Sequence, residues 1–311
     1  MSNHIRKAYE QSALCMGTII HIKIATSCTE TYIKEKMKRA FQAFYSVEEV
    51  CSRFHHQSEL KRLSMQSGKA MQVSSILFEA IRFAWQVADL TQGIFDPTLG
   101  HTLEKYGFNR HYLTGEEIIS PLATKEPVSY QDVILDEEKR TILLKKPLLF
   151  DLGAVAKGLA IDLAVQELRD FEGFVINAGG DLFASGTNER SEPWVIGIQH
   201  PFQKEKTICN VQLTDKAVCT SGSYERKSSV RMNEHHIIHP HLGTSQSDIV
   251  SCTVIAPFTM MADAFSTAAF LLGKKEGGAL LQNVDLEGIW ITSSLDINMT
   301  QGMEEYLNGH G

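Results

Sequence analysis

Asp263 and Thr267 stand four residues apart in the stretch Met260 to Gly273, MMADAFSTAAFLLG. A helix puts both on one face, because residues i and i+4 lie one above the other, while Ala264, Phe265, Ala268, Ala269, Leu271 and Leu272 are apolar enough to pack inward. A carboxylate and a hydroxyl one turn apart are hard oxygen donors, which suit Mg²⁺ far better than zinc. The same pair is open to a purely structural reading: Asp263 caps the helix and Thr267 bonds back to the carbonyl four residues earlier.

Three further stretches carry chemistry-bearing residues. In DLGAVAKGLA, residues 151 to 160, an apolar run enters a helix through glycines. Free backbone amides at a helix start attract phosphate oxygens, and Lys157 adds a mobile positive charge. Close packing at Gly153 and Gly158 is the alternative, since the P-loop pattern GxxxxGK[ST] is absent. NAGGD, residues 177 to 181, lets a backbone approach a ligand or simply makes a turn, and it is not the dinucleotide fingerprint GxGxxG. CTSGSYER at 219 to 226 precedes HHIIHPHLG at 235 to 243, where histidines offer acid, base or charge-stabilising groups. Their spacing does not match HExxH and no cysteines partner them, which disfavours zinc. FDPTLG at 95 to 100 reads by composition as a loop.

The elements that must position these residues follow from hydrophobic periodicity. GTIIHIKIA, residues 17 to 25, alternates as a strand with Ile20, Ile22 and Ile24 on one face. Helical spacing predicts a helix over about 30–51, a short one opening at Ser58, and another over about 75–91 that stops at Gly93. Residues 107–130 carry two of the eight prolines and read as a loop. Residues 133–136 and 141–145 read as a hairpin, and 154–171 as a helix. Further strands are expected at 174–177, 194–199, 207–213, 217–221, 236–238, 251–256, 288–292 and 297–300. Helices and strands mix without strict βα alternation, so the expected class is α+β and not a doubly wound sheet.

With 311 residues, 43% hydrophobic and 22% charged, the chain suffices for one large unit or two packed lobes. A net charge of −7 and no basic run interleaved with aromatics argue against nucleic acid. Six cysteines without a CxxC pair read as reduced thiols and indicate neither a zinc site nor a disulfide framework. No stretch of 18 apolar residues suggests a membrane span, and the first residues lack the apolar core of an export signal, so the cytoplasm is expected.

Taken in order, MGT at 16 to 18, SRF and SEL within 52 to 60, FDPTLG, DLGAVAKG, NAGGD, TSGSYER, the His-Pro-Gly segment and ADAFST resemble the ApbE family of FAD:protein FMN transferases. The resemblance runs over about 16–292, and residues 293–311 read as a last strand and polar tail of a single catalytic unit. It implies an α+β fold of mixed sheets with packed helices, related to the T-fold, with FAD held in a cleft between two lobes. It also implies a Mg²⁺-dependent enzyme that moves FMN from FAD to a Thr or Ser hydroxyl of an acceptor flavoprotein and releases AMP. By residue, it implies metal ligation by Asp263, Thr267 and the Ala154 carbonyl. Met16, Phe54, Asp96, Lys157 and Ile238 match positions lining the FAD site, and His236 matches the histidine that assists proton removal. The alternatives are FAD hydrolysis to FMN and AMP, in which water replaces the acceptor, and FAD binding without chemistry. One departure bears on them. Where the family has Asp-Pro-x-Thr-Gly, this chain reads His239-Pro240-His241-Leu242-Gly243, so an acidic group and a hydroxyl near the histidine are missing.

Overall fold

In the computed structural model, which describes residues 6–120, 127–232, 234–245 and 248–307, the chain opens with a hairpin of β1 (Lys7–Cys15) and β2 (Thr18–Thr26), paired from Lys7↔Thr26 to Cys15↔Thr18. Its two-residue turn places Met16 at φ 55° and Gly17 at φ 77°, the left-handed pair that suits the twist of a tight hairpin. Ile20, Ile22 and Ile24 are buried, as their alternation requires. β1 had no such signal: it is an outer strand whose residues are mostly exposed, so no apolar alternation marks it.

α1 (Glu30–Cys51) buries Ile33, Met37, Ala40, Phe41, Phe44 and Val47 at helical spacing. α2 (Glu59–Ser64) starts at Ser58, whose side chain accepts from the Lys61 amide. β3 (Met71–Gln72) leads to α3 (Ser75–Leu90), capped by Ser74 and followed by Gly93 at φ 81°. A short α4 (Gly100–Lys105) follows the FDPTLG turn and interrupts what composition presents as irregular chain. Of the loop expected over 107–130, residues 121–126 lie outside the described residues. β4 (Val133–Asp136) and β5 (Thr141–Leu144) form the expected hairpin, with β3 on its other edge.

α5 (Ala156–Leu168) is followed by β6 (Gly173–Ala178), β7 (Asp181–Gly186), the long hairpin β8 (Trp194–His200) and β9 (Gln203–Leu213), and β10 (Lys216–Gly222). β11 (Ile238–His239) and β12 (Thr244–Ser245) make a small ribbon; then come β13 (Ile249–Ala256), α6 (Thr259–Asn283), β14 (Glu287–Thr292) and β15 (Ile297–Met299). Among the described residues the main sheet has eight strands in the order β1-β2-β6-β7-β10-β13-β14-β15, with every neighbouring pair antiparallel. Helices α1, α5 and α6 bury one face of it. The β8–β9 hairpin covers the other, with Trp194, Ile198, Val211 and Leu213 packed on Leu182, Val218 and Ile255. β13 is therefore buried along all eight residues, which explains why IVSCTVIA runs apolar or small without alternation. Mixed helices and antiparallel strands of this kind are the α+β class. The C-terminal tail is less solvated than its composition suggests, because Met303 is fully buried against the outer face of the sheet.

Two contacts set the crossing of α5 and α6. Asp162 on α5 accepts from the Thr259 and Met260 amides at 2.7 and 2.9 Å, so a neighbouring helix supplies the cap that Phe258 lacks. Gly158 faces the same point, where an added Cβ would lie 2.4 Å from Met260 Cα. At Gly273 the α6 backbone leaves helical geometry (φ 73°), so the apolar stretch after Thr259 ends in a kink and the helix resumes beyond it.

Glu172 ties the end of β2 to the start of β6. Its carboxylate accepts from the Thr26 hydroxyl, from Ser27 Oγ at 2.7 Å and from Ser27 N at 3.2 Å. Burial alone would raise its pKa, but these hydrogen bonds outweigh it and bring the group from 4.5 down to about 2. A depressed carboxyl contributes stability that is present above its unfolded value near 4.5 and is lost as pH falls towards 2. Urea midpoints measured at pH 5 and pH 3.5 should therefore converge for Glu172→Gln relative to the parent, the linked uptake being about one proton at most. Equal acid sensitivity in both proteins would refute the linkage.

Candidate active site

Several segments remote in the chain meet around a cavity of about 350 Å³. The segment leading into α5 brings Asp151, Gly153 and Ala154, and α5 itself brings Lys157. The β6–β7 turn adds Asp181, and the end of β10 adds Ser221. α6 contributes Asp263 and Thr267, and the chain before β11 contributes Arg226 and His236. Asp96 and Ile238 line the same cavity. Met16 and Phe54 do not: they line an adjoining cavity of about 290 Å³, which shares Gly17, Arg53, Asp151, Gly153, Lys157 and Arg226 as a common wall. The nine residues singled out from the sequence thus fall in two compartments that meet along Arg53, Asp151 and Lys157.

Asp263 lies a full turn inside α6, so it is not the helix cap. Thr267 does not bond back to a carbonyl; its hydroxyl sits 2.8 Å from Ser221 Oγ, which is itself 2.9 Å from Ser266 Oγ. Both side chains face the cavity. Lys157 Nζ is held 2.5 Å from Asp181 Oδ2 and 3.3 Å from Asp263 Oδ2, with the Gly153 carbonyl also at 3.3 Å. Burial pushes the Asp263 carboxyl up, and the neighbouring Asp181 charge adds to this; Lys157 opposes both, and the result is a pKa near 7. For Lys157 burial favours the neutral amine, but the two carboxylates outweigh it and the net shift is upward, which keeps the ammonium charged.

At the junction of the compartments Arg53 Nε donates to Asp151 Oδ2 at 2.5 Å and its guanidinium also donates to the Phe108 carbonyl. Burial would raise the Asp151 pKa, yet Arg53, the Gly153 amide and Arg226 together hold it below the usual carboxylate range. The guanidinium lies 4.2 Å from the Phe54 ring centroid, a cation–π contact. Met16 N donates to Glu48 Oε1 at 2.9 Å, and Tyr112 Oη reaches the same oxygen at 2.9 Å, which pins the β1–β2 turn to α1. Asp96 is already engaged: Oδ1 accepts from Thr98 N and Oγ1 at 2.8 and 2.6 Å, and Oδ2 from Tyr130 N at 3.2 Å. Its remaining lone pairs are what a ligand would use. Ile238 packs with Leu103 and Tyr106 as an apolar wall.

His236 is half-buried, with Nδ1 3.4 Å from the Arg226 carbonyl and Phe108 set edge-on to its ring. Burial, the Arg226 charge and His235 all disfavour imidazolium and lower its pKa to about 3. His239, where an aspartate was expected, stands apart. Its ring lies 5.8 Å from that of His241, and its Nδ1 accepts from the Leu242 amide at 3.4 Å. Among the described residues no three His, Cys, Asp or Glu side chains group as a chelate.

Sequence reasoning singled out none of Asp181, Arg53, Asp151, Arg226, Ser221 or Glu48, although all but Glu48 lie in or beside the motifs it quoted. Their roles are fixed by partners remote in the chain, which spacing does not reveal.

The family model of the ApbE family matches residues 16–290. The chain belongs to the ApbE family. Among curated relatives, the FAD:protein FMN transferase of Klebsiella pneumoniae is 29% identical over 302 residues, covering 94% of this chain and 91% of that one. The FAD:protein FMN transferase of Treponema pallidum is 29% identical over 304 residues, covering 89% and 82%. Of solved ApbE structures, the ApbE protein of Thermotoga maritima matches at a TM-score of 0.86 with 25% identity, over 97% of this chain and all of that one. The flavin transferase ApbE of Vibrio cholerae matches at 0.81 with 23% identity over the same shares, a likeness of fold. The α+β class and the family resemblance of the motifs are both borne out.

Proposed function

We propose that this chain is a Mg²⁺-dependent FAD:protein FMN transferase. The observation that carries the reading is that Asp263, Thr267, Ala154 and Lys157 line one cavity, with a second cavity adjoining it, in an ApbE-family chain. Two adjoining cavities suit an extended dinucleotide better than a compact ligand. Phe54, with Arg53 over one ring face, offers its other face to a flat ring. Met16, Asp96 and Ile238 complete the lining, and Arg53, Lys157 and Arg226 place positive charge where a diphosphate crosses between compartments.

The donor set fits Mg²⁺. Asp263, Thr267 and the Ala154 carbonyl are all hard oxygen donors and would hold the ion, leaving room for substrate phosphates and water. When bound, the ion supplies charge neutralisation at the diphosphate. The remaining work belongs to the chain. The oxygen of an acceptor Thr or Ser attacks the phosphorus on the FMN side, the bond from that phosphorus to the bridging oxygen breaks, and AMP leaves with that oxygen. His236, neutral over the working range, takes the hydroxyl proton. Its low pKa in the free protein makes it a weak base, and the negative charge of a bound diphosphate raises its basicity.

His236→Ala should lower transfer about 10²- to 10⁴-fold with FAD affinity nearly unchanged. Because burial and Arg226 hold the free imidazole near 3, the His236 limb of the kcat/KM profile should lie below pH 5 and not near 6.5. The defining assay incubates the protein with FAD, Mg²⁺ and a flavoprotein domain bearing an acceptor threonine. Flavin that stays on the acceptor after denaturation, with one AMP per flavin, is the expected result; AMP formed without acceptor would make the chain a hydrolase. We place the protein in the cytoplasm acting on a cytoplasmic flavoprotein, which six thiols with no disulfide fit. No described helix is long and apolar enough to cross a membrane. We take the chain as one catalytic unit.

A further inference from the structure

We infer that Asp181 is a positioning residue: it draws the Lys157 ammonium towards itself, leaves it only a longer contact with Asp263, and so keeps that carboxylate available to a divalent cation. The inference rests on the metal-site reading proposed above and assigns a task to a residue that binds neither metal nor substrate in it.

The geometry is that of a saturated ammonium. Lys157 has three N–H donors, and three acceptors surround Nζ: Asp181 Oδ2 at 2.5 Å, Asp263 Oδ2 at 3.3 Å and the Gly153 carbonyl at 3.3 Å. The shortest contact goes to Asp181. The ammonium therefore sits off-centre between two nearly buried carboxylates, in a strong charge-assisted bond with one and a loose contact with the other.

Asp181 is placed to hold it there. It is the first residue of β7, directly after a turn in which Gly179 and Gly180 have φ 65° and 98°. Asn177 Oδ1 accepts from Gly180 N at 3.0 Å, Ala178 pairs across from Asp181, and β7 is bonded to β10 from Leu182 onward. A rigid hairpin end thus presents one carboxylate to a lysine at the start of α5, while Asp263 approaches the same lysine from α6.

Take Asp181 away and the lysine has a single carboxylate left among its contacts, Asp263. Its full charge then falls on the group that is to receive the cation, and metal binding must displace a buried ion pair. Charge pairs at such distances are strong enough to change affinity by about tenfold or more.

The test is a double-mutant cycle read as cation binding, not turnover. Mn²⁺ is titrated into the full-length protein without FAD, free Mn²⁺ is measured by electron paramagnetic resonance, and competition by Mg²⁺ confirms the site. Asp181→Asn should weaken Mn²⁺ about tenfold, Lys157→Met should tighten it, and adding Asp181→Asn to Lys157→Met should change affinity by less than about threefold, because there is no lysine left to hold. If Asp181→Asn costs the same in both backgrounds, Asp181 acts on the cation directly and the inference is overturned. Lys157→Gln serves as the second background should Lys157→Met leave two unpaired carboxylates that prevent folding. A parent protein that binds no Mn²⁺ overturns the metal-site reading and this inference with it; binding without coupling overturns this inference alone.

Discussion

Asp263→Ala is expected to lose FMN transfer by about 10³-fold or more while the protein stays folded. The two halves of that result have separate causes. Activity falls because Asp263 is the only carboxylate in the proposed donor set, and Thr267 and the Ala154 carbonyl are neutral. Stability holds because Asp263 is a costly group in the folded chain. Burial and the Asp181 charge raise its pKa, so the folded chain holds this carboxylate at a cost that Lys157 only partly offsets. Removing it relieves repulsion and leaves Lys157 paired with Asp181 at 2.5 Å. AMP release and flavin retained on the acceptor measure the first half; a thermal melt within a few degrees of the parent measures the second. A variant that keeps transfer would end the metal-site reading.

Gly158→Ala should show the reverse, a large loss of stability from a single methyl group. On helix propensity alone, alanine would gain about 1 kcal/mol over glycine. Here the added Cβ would sit 2.4 Å from Met260 Cα, 2.6 Å from Met260 N and 2.7 Å from Thr259 C, all of them backbone that cannot rotate aside. α5 and α6 must separate, and the Asp162 bonds to the Thr259 and Met260 amides lengthen with them. Overpacking of this kind costs about 3 kcal/mol, which for a chain of this size lowers the melting temperature by roughly 5 °C or more. The same separation moves Lys157 and Ala154 on one side relative to Asp263 and Thr267 on the other, so Mn²⁺ affinity should fall too. A melting temperature at or above that of the parent would show that the helices do not meet as closely as described.

These two residues also mark how far the sequence could be read. The sequence offers Gly158 as a packing glycine, but nothing in DLGAVAKGLA says that its neighbour is the first turn of a helix a hundred residues later. Asp263 was found because it shares a helix face with Thr267, a relation internal to one element. The departure at His239 and Leu242 leaves His236 without the acidic group and hydroxyl that the family pattern places after it. In the folded chain His239 pairs with His241 and the Leu242 amide, and the nearest partners of His236 are Arg226 and Phe108.

What the sequence determined by itself is local and periodic. The isoleucine alternation of β2, the helical stripes of α1 and α3, the helix start at Ser58 and the order of the motifs are each written in residues a few positions apart, where backbone geometry makes spacing decisive. The outer strand β1 escaped it, because KAYEQSALC is mostly exposed and shows no regular apolar alternation. Only the tertiary structure decided that Lys157 meets Asp181 and, 106 residues along the chain, Asp263; that Arg53 holds Asp151; and that Met16 and Phe54 occupy a compartment of their own. A charge carries no record of its partner, because electrostatic and hydrogen-bond energies depend on distances through space that only the sheet order and the crossing of α5 with α6 establish.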